Sequence, residues 1–170
     1  MTFAEYVASN PPRCLKVFAV SSAKAMDEQT VRFGLRSASG EAVGSLLGYD
    51  LRDLNPEYDG DPLFVSPLFV EWSGGGGRML LLDTDIHGHH GEEGSSACIR
   101  GAGEPTPFAC SSCRQLLFEF EVEFHYWDET VDTWHDEEPG FVAEDHFSLF
   151  RLLARCHHCG KAHEASVLDL

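Results

Sequence analysis

Apolar and polar residues alternate without interruption through residues 118–126, FEFEVEFHY. One set of alternate positions holds four aromatic residues and a valine, and the other holds three glutamates and a histidine. Successive side chains of a β-strand point to opposite faces, so this pattern predicts a strand with one buried and one solvent-facing side. It is the clearest strand signal in the chain.

Seven further segments combine apolar residues with turn-forming residues at their ends. They are residues 15–20, 30–35, 42–47, 63–72, 78–83, 147–155 and 165–170. Turns rich in Gly, Ser, Asn and Asp between the first three predict a meander. The glycine run SGGGG between the fourth and fifth predicts a hairpin, and residues 127–146 predict an acidic loop.

The first residues of the chain, MTFAEY, carry a helix signal. Thr2 at the N-cap and Glu5 three residues later form the capping-box pattern, and Pro11 and Pro12 end the helix. Together with the strands, this predicts a mainly β fold, with antiparallel sheets and a short N-terminal helix.

Residues 88–107 are rich in Gly, Ser, Glu and Pro, which favours a linker or an excursion from the fold. This segment divides the chain into a β-rich N-terminal lobe, 1–87, and a C-terminal β lobe, 108–170. The acidic loop is an insertion into the second lobe. We therefore predict two lobes that meet at one boundary.

The charge of the chain narrows its partners. It has 28 acidic and 12 basic residues, a formal net charge of −16. Such a surface repels phosphate backbones, which are bound through Lys and Arg, so it disfavours nucleic acid and favours a basic protein or a cation. The sequence has neither an apolar run of membrane-spanning length nor a secretory signal pattern, so we expect a cytoplasmic protein without membrane association.

Four of the six cysteines form two CxxC pairs. They are Cys110, Cys113, Cys156 and Cys159. Two sulfurs three residues apart turn toward one point when the backbone makes a tight turn, and two such pairs supply the four thiolates that tetrahedral Zn²⁺ prefers. In a reducing compartment this favours a structural zinc site over disulfides. Cys14 and Cys98 each stand alone, and we expect both to be small buried residues.

The cysteine pairs resemble a zinc ribbon, the family in which CxxC turns at strand ends clamp a metal beside an antiparallel sheet. The resemblance covers residues 105–170 and is best at CHHCG, where Gly160 permits a left-handed turn. The first pair departs from the pattern, since Arg114 stands where that glycine would be. The long separation of the pairs, residues 114–155, is a second departure. The resemblance implies a closed structural metal site, and the family has no common enzymatic activity.

Three histidines lie within or just after the second cysteine pair, His157, His158 and His163. Four sulfurs already complete a tetrahedral shell, so no histidine is needed as a ligand. We expect His157 and His158 to point outward and His163 to be a surface or packing residue.

Residues 83–90, DTDIHGHH, follow an apolar run and mark a predicted strand end. Alternation would place Asp83, Asp85 and His87 on one side, with His89 and His90 beyond them. Carboxylate and imidazole ligands suit Mn²⁺, Fe²⁺ or Zn²⁺, and an incomplete shell would leave a water to be activated. This loosely resembles metal-dependent hydrolases and oxygenases. The alternatives are a weak metal site and a polar turn, and we favour the polar turn.

The acidic residues concentrate at 119–145, a stretch that includes Trp127 and Trp134 but no Lys or Arg. Such stretches usually form solvated surface, yet acidic groups also steer cationic partners while aromatic residues anchor them. We therefore predict a small acidic, zinc-stabilised binding protein that engages a basic protein, in the manner of an immunity or antitoxin-like protein. The alternatives are a metal-dependent enzyme using residues 83–90 and a nucleic-acid-associated zinc ribbon, which the charge disfavours.

Overall fold

The alternating segment forms the central strand of the structure, β7 (Phe118–Tyr126). The computed structural model describes residues 1–87 and 95–170, and nine strands of these residues form one antiparallel, curled sheet. The other eight are β1 (Ala19–Ala25), β2 (Thr30–Arg36), β3 (Gly44–Asp50), β4 (Phe64–Trp72), β5 (Arg78–Leu82), β6 (Thr106–Pro107), β8 (Phe147–Cys156) and β9 (Ala162–Asp169). The predicted mainly β fold class is confirmed.

Three parts of the sheet converge on β7. On one side it pairs with β2, which in turn pairs with β1. On the other side it pairs with β8, which pairs with β9. The series β3, β4 and β5 joins the start of β7 where Gly44 pairs with Phe118, and the short β6 adds to β3.

The apolar face of β7 lies at the centre of the core. Its five apolar side chains are at most 3% exposed. Phe124 packs edge to face against Phe33 of β2 and Phe147 of β8, with ring centroids 5.9 and 4.6 Å apart. Such pairs contribute about 1 kcal/mol each beyond the area they bury. The alternation seen in the sequence is therefore the division between core and solvent.

The N-terminal helix, α1 (Phe3–Ser9), begins as predicted. The Thr2 hydroxyl accepts from the Glu5 N–H, and the Glu5 carboxylate accepts from the Thr2 N–H, which completes the capping box. Phe3 is buried and packs edge to face against Trp134, at a ring-centroid distance of 5.5 Å. The helix thus packs on the core together with one of the two tryptophans of the acidic stretch.

The prediction of an acidic loop over 127–146 is wrong for part of that segment, which contains helix α3 (Asp128–His135). Asp128 and Glu129 lie in its first turn, where carboxylates interact favourably with the positive end of the helix dipole. Packing of Trp134 supplies the tertiary contact that a short polar helix needs.

The first strand also differs from its prediction. It begins at Ala19 and not at residue 15, because Arg13–Leu15 form a 3-10 turn that buries Leu15. A short helix, α2 (Leu51–Leu54), follows β3. No helix within residues 1–87 and 95–170 is long and apolar enough to cross a membrane.

Strands from both predicted lobes belong to the same sheet. Residues 30–34 of β2 pair with residues 121–125 of β7, and β6 pairs with β3. Residues 88–94, at the start of the predicted linker, lie outside the described residues. The division into 1–87, 88–107 and 108–170 stays a prediction.

The polar face of β7 holds a buried ion pair. Glu123 is 7% exposed because Arg32 of β2 and Arg151 of β8 lie on either side of it, at N–O distances of 2.7 and 2.8 Å. Arg151 also contacts Glu164 of β9 at 2.8 Å. Repulsion along the glutamates of this strand is therefore relieved at Glu123 by two guanidinium groups.

Glu123→Ala should lower the free energy of unfolding by about 2 kcal/mol, because two partly buried guanidinium groups lose their shared acceptor. Glu121→Ala removes the neighbouring outward carboxylate, which forms no ion pair within the described residues, and should change stability by less than about 0.5 kcal/mol. Urea unfolding followed by tryptophan fluorescence measures both variants. Equal losses would contradict the structural role assigned to Glu123.

Candidate metal centre

Antiparallel pairing of β7 and β8 brings the two cysteine pairs together. The first pair precedes β7, and the second begins at the last residue of β8. Phe118 pairs with Cys156, and the N–H of His157 donates to the carbonyl of Leu117 at 2.9 Å. The long separation of the pairs in sequence is therefore closed by the strand ladder.

The two cysteine turns have the same backbone hydrogen bonds. In the first turn, the Arg114 N–H donates to the Cys110 carbonyl and the Cys110 N–H donates to the Gln115 carbonyl. In the second, the Gly160 N–H donates to the Cys156 carbonyl and the Cys156 N–H donates to the Lys161 carbonyl. All four distances are 2.8–2.9 Å. Both turns use a left-handed residue, Gly160 with φ 75° and Arg114 with φ 65°. Arg114 thus takes the glycine conformation at a cost of about 1–2 kcal/mol. The first turn therefore differs from the second in residue type but not in backbone conformation.

The four sulfurs form one compact cluster. All four Sγ atoms lie within 4.8 Å of one another, with 3.6 Å between Cys110 and Cys159 and 3.5 Å between Cys113 and Cys156. Tetrahedral bonds of about 2.3 Å place sulfurs about 3.8 Å apart, which matches this cluster. The cysteines are positioned to hold a metal ion. In residues 1–87 and 95–170 no other group of three or more ligand side chains comes this close.

The cluster has a buried side and an open side. Cys110 and Cys156 are buried, Cys113 is half-buried and Cys159 is exposed. Burial raises the pKa of Cys110, but backbone N–H groups within the first turn and the ring of His163 outweigh it and lower that pKa to about 5. The turn and the ring of His163 together therefore favour the thiolate form of this buried sulfur.

Cys113 has the opposite balance. The backbone N–H of Gln115 lowers the pKa of Cys113. Burial and hydrogen bonds with the other three thiols outweigh it and raise that pKa to about 12. Four thiolates this close repel one another unless a cation lies among them. The metal-free cluster therefore retains protons that a bound metal would displace.

His163 lies closer to the centre than the sequence indicates. Its Nε2 is 3.3 Å from Sγ of Cys110, and its ring packs edge to face against Phe108 and Phe118 at 5.6 and 6.0 Å. His163 reaches Cys110 because β9 pairs with β8, where it lies opposite Ala154. No local motif signals this contact. His157 and His158, by contrast, are exposed as expected.

The predicted second metal site is organised by an arginine. Arg100 forms ion pairs with Asp83 and Asp85. His87 folds back on the same turn. Its ring Nδ1 accepts from the backbone N–H of Asp83 at 3.0 Å, and its backbone N–H donates to the Asp83 carbonyl at 2.9 Å. The three side chains are not among the close ligand groups of the described residues. A metal here stays a prediction, and the last two histidines of DTDIHGHH lie outside the described residues.

His87 also borders a small cavity of about 110 Å³. The cavity is lined by Arg13, Cys14, Ile86, His87, Asp145 and Phe147. Burial, followed by the charge of Asp145, raises the pKa of the Cys14 thiol, and Asp145 is itself paired with Arg13. Because Nδ1 of His87 is already an acceptor, its neutral ring carries the proton on Nε2. Because its pKa is raised and the Nδ1 of His87 is already occupied, Cys14 lacks the thiolate character of a nucleophile.

The two lone cysteines differ in their surroundings. Cys14 is buried, as the sequence predicts. Cys98 is exposed, contrary to the prediction, because it ends a short 3-10 turn at Ser96–Cys98 whose buried residue is Ala97. Neither belongs to the sulfur cluster.

Comparison with known proteins finds no relative of this chain. No protein family, no curated protein and no solved structure matches the chain. What the structure shows is a pair of CxxC turns beside an antiparallel sheet, with four sulfurs at metal-binding distance.

Binding of Zn²⁺ at about pH 7.5 should release a proton from Cys113, because that thiol has a pKa of about 12 in the free cluster. Cys110, with a pKa of about 5, is already ionised there. Affinity should therefore rise with pH around neutrality, and fall more steeply once pH drops through the pKa of Cys110. Calorimetric titration in buffers of different ionisation enthalpy measures the protons released. Binding without proton release would contradict the assignment.

Proposed function

We propose that the protein is a small acidic binding protein, stabilised by Zn²⁺ at the four cysteines, that engages a basic protein partner. The observation that carries the zinc assignment is the compact cluster of four sulfurs. Soft thiolates select zinc among the common divalent metals, and a closed four-sulfur shell leaves no position for water or substrate. The centre is then of the zinc-ribbon type, and its metal joins the start of β7 to the end of β8.

Protein purified without added metal should contain a single equivalent of zinc by elemental analysis. Cys156→Ser should lose this metal and several kcal/mol of stability, because metal binding and folding are linked. The matched double variant Asp85→Ala/His87→Ala should retain both metal and fold. A further equivalent lost only from the double variant would favour a metal at 83–90. A metal-free wild type would overturn the zinc assignment.

A groove on the polar face of the sheet supports binding of a cationic partner. It has a volume of about 510 Å³ and is lined by residues of β1, β2, β7, β8 and β9. Its floor follows a row of cross-strand neighbours, Gly34, Glu121, Leu153 and Glu164. Gly34 has no side chain to cover Glu121, its neighbour on β7. A Cβ added at Gly34 would lie 2.6 Å from two serine hydroxyls of β1.

Two carboxylates in this groove have no partner within the described residues. Glu119 and Glu121 are exposed and form no ion pair, whereas Glu123 is shared by two arginines. Residues two apart on a strand face the same side, so both carboxylates are presented together. Three arginines also line the groove, Arg32, Arg36 and Arg155. Arg32 pairs with Glu123 and the other two donate to backbone carbonyls, so within the described residues none of the three is ion-paired with either carboxylate. An ammonium or guanidinium group from a partner would find both carboxylates unpaired.

The acidic segment after β7 supports the same proposal. Trp127 is 52% exposed and immediately precedes α3, where Glu129 and Asp132 are also exposed. An exposed tryptophan beside carboxylates is the kind of residue that anchors a partner once charge has steered it into place. Trp134 packs against α1 and is not available in this way. An immunity or antitoxin-like protein directed at a basic toxin would have this combination of charge and size.

Glu119→Gln/Glu121→Gln should weaken binding of a labelled lysine homopolymer about fivefold, because each exposed ion pair contributes a fraction of a kcal/mol. The control Glu28→Gln/Glu57→Gln makes the same change in net charge at two exposed positions that do not line the groove, and it should alter affinity much less. Fluorescence anisotropy at two salt concentrations measures both, and added salt should weaken binding. Equal effects of the two double variants would exclude the groove, and absence of binding would argue against a basic partner.

A further inference from the structure

His163 contacts the sulfur cluster from outside the set of four cysteines. Its Nε2 lies 3.3 Å from Sγ of Cys110, within hydrogen-bonding distance for sulfur. The ring is half-buried between Phe108 and Phe118, whose own side chains are at most 2% exposed. Packing and strand pairing therefore aim the imidazole at one particular sulfur.

The chemistry of that sulfur determines the direction of the bond. A metal-bound thiolate has no proton to donate, so Nε2 must carry the hydrogen and donate it to Sγ of Cys110. Four thiolates around Zn²⁺ leave a net charge of about −2 on the centre. Hydrogen bonds to the sulfurs spread this charge, and Cys110 is buried where water cannot supply them.

The four sulfurs are not equivalent in this respect. Cys159 is exposed and Cys113 half-buried, so solvent can reach them. Cys156 is buried and receives backbone N–H groups from within its own turn. Cys110 is buried, receives the corresponding N–H groups, and has the side chain of His163 in addition. Among the residues that the structure describes, it is the one cysteine of the cluster that a histidine side chain contacts.

We propose that His163 is a positioning residue of the metal centre, which holds the Cys110 thiolate by an Nε2–H···S hydrogen bond and slows release of the metal. This inference rests on the proposed zinc site. It deepens that site because outer-shell donors orient metal ligands and typically change metal affinity by 10- to 100-fold. The sequence offers no motif for it, since His163 lies beyond the second CxxC turn.

His163→Phe keeps an aromatic ring for packing on Phe108 and Phe118 but removes the N–H. It should release zinc to a chromogenic chelator about 10-fold faster than wild type. His163→Gln, which retains an N–H donor, should restore part of the slow release. His157→Phe, an exposed histidine inside the second turn, is the matched control and should release zinc at the wild-type rate.

The absorption spectra of the cobalt-substituted proteins give a second readout, which a change in packing alone would not alter. Loss of the N–H···S bond should shift the sulfur-to-cobalt charge-transfer band in His163→Phe but not in His157→Phe. If His163→Phe fails to fold, the band and release rate of His163→Gln still carry the test. Unchanged release and spectra in a fully loaded His163→Phe would overturn the role of His163 alone. A wild type that holds no metal would overturn the zinc proposal, and the role of His163 with it.

Discussion

The antiparallel ladder between β7 and β8 is the constraint on which the rest of the structure depends. Its register pairs Phe118 with Cys156 and continues to Tyr126 and Phe147. At one end it brings together two cysteine pairs that are far apart in sequence, and at the other it is bridged by the segment that contains α3. Because a shift of one residue would turn every side chain to the opposite face, core, ion pair and cluster require this register together.

The two faces of β7 divide the roles of the fold. One face supplies the aromatic core, and the other carries the glutamates at 119, 121 and 123. Only Glu123 has arginines opposite it on both neighbouring strands, so this carboxylate is structural. The other two line the groove and form no ion pair within the described part of the chain. The acidic character of the sequence is therefore not uniform in the structure. Part of it stabilises the sheet, and part of it is presented to solvent.

The two cysteine turns have the same backbone geometry although different residue types occupy the left-handed position. The turn at Arg114 has the hydrogen bonds and positive φ of the turn at Gly160. Its left-handed conformation costs about 1–2 kcal/mol, far less than the folding energy that the proposed zinc site would contribute. At Asp83 and Asp85 the reverse holds. Ligand-type residues are present, but Arg100 pairs with both carboxylates.

The sequence by itself determined the features that depend on near neighbours. Alternation predicted β7, the Thr2–Glu5 pattern predicted the helix cap, and CxxC spacing predicted two cysteine turns, because each is set by residues a few positions apart. Tertiary structure alone decided the arginines around Glu123, the approach of His163 to Cys110, and the helix within the acidic segment. Their partners lie on remote parts of the chain, and only strand register and core packing bring them together.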